Sequence, residues 1–265
     1  MKKLGASLFA IASYAIGVGA LFTWTVFMGN LIPGIGIDGE PNMGLIPALL
    51  KNLSLVALFA LQHIIMARQP FKKWLAKTVH PQLERSVFVL ASGLTFSLVL
   101  WQWEPLGGTI WQVATGSTAY YIHYILFFIG WAIMYSSSFV INHFDLFGLR
   151  QTYFYIMDKP YKPLQFRIVS YYKYMRHPLY FGMMLGMWFT PSMTVTHLSM
   201  AAGLTAFIMI AITYEERDLI REFGNKYIQY RNRTPKLIPF LRMSSSAQPA
   251  TQATAKMEAI PVEKD

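Results

Sequence analysis

The sequence contains no cysteine, which excludes disulfides, thiolate metal clusters and a cysteine nucleophile. Charge is scarce too: Asp, Glu, Lys and Arg make up 14% of the 265 residues, against about a quarter in soluble domains. Acidic residues are the scarcest, 13 against 23 Lys and Arg. Long stretches carry no charge, and the charges that exist cluster between them. With 54% hydrophobic residues and a mean hydropathy of +0.34, this excludes an ordinary cytosolic globular protein and indicates a chain that crosses a membrane several times.

Apolar runs of about 17 to 25 residues mark the crossings. They cover Leu4–Asn30, Leu45–Ala67, Ser86–Trp103 and Thr118–Ile141, followed after a long polar segment by two shorter runs, Leu179–Val195 and His197–Tyr214, with a break around Pro191–Thr196. The first run is too long for a signal-peptide core, so it reads as a retained helix. The last two read as a tight helical hairpin that only just spans. The predicted fold class is therefore all-α, a polytopic membrane helix bundle of five or six transmembrane helices, with residues 1–243 as one membrane domain. Residues 244–265, rich in Ser, Ala, Gln, Thr and Pro, read as a disordered cytoplasmic tail.

A net charge of +10 would suggest nucleic acid as a partner for a soluble protein. Here topology explains it. Residues 31–44 and 104–117 hold Asp38, Glu40 and Glu104 but no Lys or Arg, whereas the connections 68–85 and 142–178 are basic. Of the 23 positive residues, only Lys51 falls outside the segments assigned to one side. The basic loops and both termini are therefore expected at the cytoplasmic face, against anionic lipid and with no nucleic-acid partner. Trp101, Trp103 and Trp111 read as an interfacial belt at the opposite face.

The densest polar chemistry lies between Tyr171 and Gly182, in the order Tyr-Tyr-Lys-Tyr-Met-Arg-His-Pro-Leu-Tyr-Phe-Gly. Pro178 suits the first turn of a helix and biases His177 away from helical geometry, so Arg176 and His177 project from a turn. Gly182 leaves room for close approach of backbone or ligand. Arg176, His177, Tyr174 and Tyr180 at a helix N-terminus suit a carboxylate; a snorkelling interfacial anchor is the structural alternative. The second constellation, Tyr214-Glu215-Glu216-Arg217-Asp218, places two carboxylates at a membrane border that favours Lys and Arg, where acids pair or meet a cation. Leu219, Phe223, Tyr227 and Tyr230 continue it as one apolar stripe ended by Pro235 and Pro239, a helix lying on the membrane or folding back over the helix ends. A ligand carrying both a cation and a carboxylate suits this set, an adenosyl sulfonium amino acid being one example. Deeper in the bundle lie Gln62 and His63, Glu84 and Arg85, and Asn142 and His143, each either functional or an interhelical hydrogen-bonding residue.

Four blocks in order, Arg176-His177-Pro178-Leu179-Tyr180-Phe181-Gly182, Glu215-Glu216-Arg217-Asp218-Leu219, Phe223-Gly224-Asn225-Lys226-Tyr227 and Leu237-Ile238-Pro239-Phe240, resemble the C-terminal signature of isoprenylcysteine carboxyl methyltransferase-like membrane enzymes. Gln62-His63, Met66-Ala67-Arg68, Glu84-Arg85-Ser86 and Trp101-Gln102-Trp103 are similar to the branch that holds the bacterial methanethiol S-methyltransferases and nurim. The resemblance implies an enzyme of the bacterial inner membrane that transfers a methyl group from S-adenosyl-L-methionine to a small thiol, methanethiol, giving dimethyl sulfide. It implies Tyr174, Arg176, His177, Pro178, Tyr180, Gly182, Glu215 and Glu216 around the cofactor, and no metal. Methyl transfer from a sulfonium needs the thiol placed and deprotonated. His63, His143, Glu216 and His177 are candidates to take the proton, and Arg176 or Arg85 to stabilise the thiolate. The same architecture admits a larger prenyl-cysteine or lipid substrate, and nurim offers a non-catalytic scaffold as a further alternative.

Overall fold

The computed structural model describes residues 2–239 and 241. Five of its helices are long and apolar enough to cross a membrane: α1 (Lys2–Gly29), α2 (Leu45–Met66), α4 (Glu84–Gln102, preceded by a turn of 3₁₀ helix), α5 (Thr118–Ile141) and α9 (Val195–Phe223). Short helices α3 (Gln69–Leu75), α6 (His143–Leu146), α7 (Leu149–Ile156) and α10 (Asn225–Arg233) gather at the basic end. The architecture is the expected all-α bundle. Its small sheet pairs β1 (Thr109–Gln112) antiparallel with β2 (Ser192–Thr194), aligning Thr109 with Thr194 and Gln112 with Ser192.

The expected helical hairpin at 179–214 is not what forms. α8 (Pro178–Trp188) has 11 residues, about 16 Å of helix against about 30 Å of hydrocarbon. Pro191 cannot continue the helical hydrogen bonding. The chain completes the crossing as an extended stretch that delivers β2 to β1, at the end opposite the basic loops. Non-helical backbone at membrane depth is stable only where protein satisfies it, and here it is satisfied. His197 Nε2 donates to the Met187 carbonyl at 2.7 Å, Trp111 Nε1 to that of Thr190 at 3.4 Å and the Val113 amide to that of Pro191 at 2.8 Å. Thr194 then caps α9, its hydroxyl accepting from the His197 amide at 3.0 Å.

Glycines set the helix spacing. A Cβ on Gly130 of α5 would stand 2.4 Å from the Gly186 nitrogen of α8, and one on Gly182 would stand 2.5 Å from the Gly130 carbonyl oxygen. The two backbones therefore touch, the usual way membrane helices gain packing when lipid supplies no hydrophobic drive. Gly17 and Gly93 do the same for α1 and α4, where a Cβ on Gly93 would lie 2.9 Å from the Gly17 Cα. Between these pairs Trp24, Phe96 and Trp131 interlock edge to face, with ring centroids 5.1 and 4.9 Å from Trp24.

The exceptional cation, Lys51, reaches from α2 to Glu104 at 3.0 Å. Asn52 closes the same corner, donating to the Glu104 carbonyl at 2.8 Å and accepting from its amide at 2.9 Å. Of the three tryptophans expected at this face, Trp101 is 79% exposed and Trp111 36%, but Trp103 is 8% exposed and belongs to the core, because α4 ends there and the chain turns inward. The apolar stripe expected to run on from α9 is broken at Gly224, whose φ of +55° ends that helix, and α10 folds back beneath the bundle. The tail expected at 244–265 lies outside the described residues.

Replacing Gly130 by Val should force α5 and α8 apart and cost about 1–3 kcal/mol, the usual range for overpacking. Thermal melts of detergent-solubilised protein should show the loss. Gly5→Val, where a Cβ meets nothing within 4 Å, should leave the melt unchanged.

Candidate active site

Pro178 opens α8 at its first turn, which leaves His177 extended at the N-cap. The two residues before it pair with the end of the described chain: the Arg176 amide donates to the Pro235 carbonyl at 2.9 Å and the His177 amide to that of Lys236 at 3.1 Å. Their side chains converge on α9. Arg176 Nε donates to Glu216 Oε1 at 2.7 Å, and His177 Nε2 lies 3.0 Å from the same oxygen. Arg176 Nη1 donates to the carbonyls of Arg231, at 2.9 Å, and Thr234. Tyr230 Oη donates to the Tyr172 carbonyl at 2.7 Å. Glu216 is buried at 8% exposure, so its charge is held by two donors and binds α8, α9 and α10 into one unit.

Adjacent helix positions point about 100° apart, so Glu215 cannot share this clasp. Its Oε2 stands 3.8 Å from His177 Nδ1, beyond hydrogen-bond range, and is enclosed without a hydrogen-bond partner among the described residues, while the Tyr180 hydroxyl donates a hydrogen bond to the same carboxylate. Burial, with the Glu215 charge adding to it, raises the Tyr172 phenol far above the usual tyrosine range, so that this ring remains a neutral donor.

Glu215 faces a cavity of about 500 Å³ that runs from the basic end into the bundle. Arg176, His177, Tyr172 and Tyr180 line its mouth; His63, Arg85, Phe88 and Phe207 line it on the side of α2, α4 and α9, and Trp24 and Phe96 belong to its lining as well. His63 Nδ1 lies 3.3 Å from Ser92 Oγ, and its ring is packed against Phe59, Phe88 and Phe207 at centroid distances of 5.4, 4.8 and 5.6 Å. Arg85 is anchored by Nε donating to the Leu146 carbonyl at 2.7 Å and by stacking over Phe88 at 4.9 Å. Among the described residues it has no ion-pair partner, leaving a cation on the cavity wall.

The fold thus brings His63, Arg85, His143, Arg176, His177, Tyr180 and Glu215 to one cavity. Four predicted residues stand elsewhere, and one lining residue is committed. Glu216 is turned into the clasp. Gly182 faces α5, where the helices would collide with any side chain. Pro178 is buried at the start of α8, and Tyr174 is 54% exposed away from the cavity lining. His143 has both ring nitrogens engaged, Nε2 with Tyr14 Oη at 2.9 Å and Nδ1 with Ser138 Oγ at 2.8 Å, and stacks on Phe139 at 4.1 Å. It is a junction of α1, α5 and α6 with no nitrogen left for a substrate proton. Sequence reasoning missed Ser92 and Tyr172. Ser92 is an isolated polar residue in an apolar helix, the signal that could have marked it; Tyr172 was indistinguishable among its neighbouring tyrosines.

The chain is 46% identical over 219 residues to a methanethiol S-methyltransferase of Crocosphaera subtropica, spanning 83% of this chain and 86% of that protein. It is 37% identical over 242 residues to a protein of the same name from Mycobacterium tuberculosis, spanning 91% of this chain and 98% of the relative. Nurim from Bos taurus is 26% identical over 230 residues, 79% of this chain and 87% of nurim. No family model matches the chain, and no solved structure does.

Glu216→Ala should strand the Arg176 charge and destabilise the fold by about 3–5 kcal/mol, read as a lower melting temperature. Burial lowers the pKa of His143 from 6.5: the folded chain keeps it neutral while the unfolded chain takes up a proton. Its contribution to stability is therefore complete above pH 6.5 and declines as pH falls below that value. Melts between about pH 8 and pH 5.5 should show this slope, reduced in His143→Asn.

Proposed function

The chain belongs to the methanethiol S-methyltransferase family, and we propose that it converts methanethiol to dimethyl sulfide with S-adenosyl-L-methionine as methyl donor. The observation that carries the assignment of the donor is the Glu215 carboxylate, with one oxygen enclosed and unpartnered at the mouth of a cavity of about 500 Å³. A carboxylate with tyrosines beside it and no Lys or Arg paired to it among the described residues suits a cationic ligand, and the cavity is far larger than a two-heavy-atom thiol, on the order of two water volumes, requires. When bound, S-adenosyl-L-methionine supplies a methyl group already activated on a sulfonium. Glu215, with Tyr172 and Tyr180 beside it, would hold its cationic part, and Arg176 and His177, fixed by Glu216, shape the adjoining wall.

The wall formed by α2 and α4 suits the thiol. Arg85 offers an unpaired positive charge and His63 a ring nitrogen among Phe59, Phe88 and Phe207. A developing thiolate is favoured there because a dry, apolar wall strengthens its attraction to Arg85. Methanethiol is small and apolar enough to arrive from lipid. We place the basic end at the cytoplasmic face of a bacterial inner membrane, where Lys and Arg accumulate and the methyl donor is made.

Membranes containing the protein, incubated with S-adenosyl-L-methionine and methanethiol, should release dimethyl sulfide detectable by headspace gas chromatography. Glu215→Gln should raise the KM for S-adenosyl-L-methionine about 10- to 100-fold, the scale of a lost charge-assisted contact, with the melt unchanged. Retained cofactor binding without product would redirect the assignment to a larger thiol; absence of cofactor binding would leave a scaffold of the nurim kind.

A further inference from the structure

His63 is held by a hydrogen-bonded chain that determines which of its nitrogens carries the proton. Gln62 Nε2 donates to Met66 Sδ at 3.0 Å and to Ser92 Oγ at 3.3 Å, joining α2 to α4. Turned the other way, the amide would set its oxygen against the Met66 sulfur and leave both N–H groups without acceptors, whereas the observed orientation leaves only Oε1 unpartnered. Ser92 Oγ, having accepted from Gln62, has one proton of its own to give, and its acceptor is His63 Nδ1 at 3.3 Å. A neutral imidazole that accepts at Nδ1 carries its hydrogen at Nε2. That nitrogen has no protein partner among the described residues, and His63 lines the cavity. The neighbouring charge acting on the ring is Arg85 of α4; from α9 the Phe207 ring packs on it, and Glu215, Asp218 and Glu222 of that helix line the same cavity.

We propose that Gln62 and Ser92 are positioning residues that hold His63 as an Nε2–H donor, so that His63 and Arg85 bind the attacking sulfur as a thiolate and His63 does not remove its proton. This rests on the methyl-transfer reading above and decides a point that reading leaves open. The thiol S–H bond breaks before attack, its proton passing to water at the open mouth of the cavity. The thiolate sulfur then forms the new S–C bond as the sulfonium S–C bond breaks, the electron pair staying on the departing sulfur. A thiolate and a sulfonium become two neutral thioethers, so charge balances. A second cation beside Arg85 would arise if His63 took the proton; an N–H donor stabilises the thiolate without it.

The test is the pH dependence of kcat/KM for methanethiol, together with variants that separate donor from base. With His63 as donor, kcat/KM should climb about tenfold per pH unit towards the ionisation of the thiol itself, without levelling at any lower pH. His63→Gln retains an N–H donor but no base and should keep activity within about tenfold of wild type, whereas His63→Ala should lose about 10²-fold or more, as when one anion-stabilising donor is removed. Ser92→Ala should lower kcat roughly tenfold, the scale on which orienting partners act, and change the pH profile while leaving the KM for S-adenosyl-L-methionine unchanged; Ser92→Thr, which keeps the hydroxyl, should restore both. Retained cofactor affinity establishes that each variant is folded. A wild-type kcat/KM that is flat with pH below the ionisation of the thiol, with His63→Gln as inactive as His63→Ala, would overturn the donor assignment, and an unaltered rate and profile in Ser92→Ala would overturn the role of Ser92. Failure of the wild type to make dimethyl sulfide would instead overturn the methyl-transfer reading, and this inference with it.

Discussion

A buried carboxylate whose charge must be matched organises the functional end of this protein. Glu216 is nearly enclosed, and an unpaired carboxylate there would cost several kcal/mol. Arg176 and His177 meet it on one oxygen, and Arg176 extends the tie to the carbonyls of Arg231 and Thr234. Because Arg176 and His177 precede α8 while Arg231 and Thr234 lie at the end of α10, one anion fixes three helix ends. The mouth of the cavity takes its shape from that tie. Glu215, one position earlier on α9, is thereby left to face the cavity.

The second constraint is the crossing that α8 begins and cannot finish. A broken helix in hydrocarbon exposes carbonyls that must find donors within the protein. His197, Trp111 and the Val113 amide supply them, and the small sheet secures the extended part. Direct backbone contact at Gly130, Gly182 and Gly186 keeps α8 against α5, so the opposite side of α8 can present Tyr180 and Met183 to the cavity. Packing and site geometry are linked here: the glycine expected at a cofactor contact serves the helix contact that orients the cavity-facing Tyr180.

The cavity divides its polar groups between its walls. On the α9 side, Glu215 and the tyrosines suit a cationic ligand. On the α2 and α4 side, His63 and Arg85 stand beside aromatic rings, where an apolar wall strengthens electrostatic attraction. His143 shows how a histidine at the same wall is made inert: with Tyr14 and Ser138 on its two nitrogens, it has no valence left for a substrate. His63 differs by having, among the described residues, a single hydrogen-bond partner, Ser92.

The spans at Lys2–Gly29, Leu45–Met66 and Thr118–Ile141 were legible from apolar run length within a few residues, because hydrocarbon thickness dictates how many apolar residues a helix needs. The one-sided placement of Lys and Arg was legible for the same reason, charge being excluded from lipid. The Arg-His-Pro and Glu-Glu blocks marked the two segments that meet at the cavity. Spacing along a chain does not state which partner each side chain meets across the bundle, and that is what the tertiary structure decided: Glu216 to the clasp and Glu215 to the cavity, Gly182 to helix packing, Trp103 to the core, Ser92 to His63. Each of those outcomes depends on contacts between segments tens of residues apart, where burial, charge matching and backbone clearance select one partner among several that the sequence alone permits.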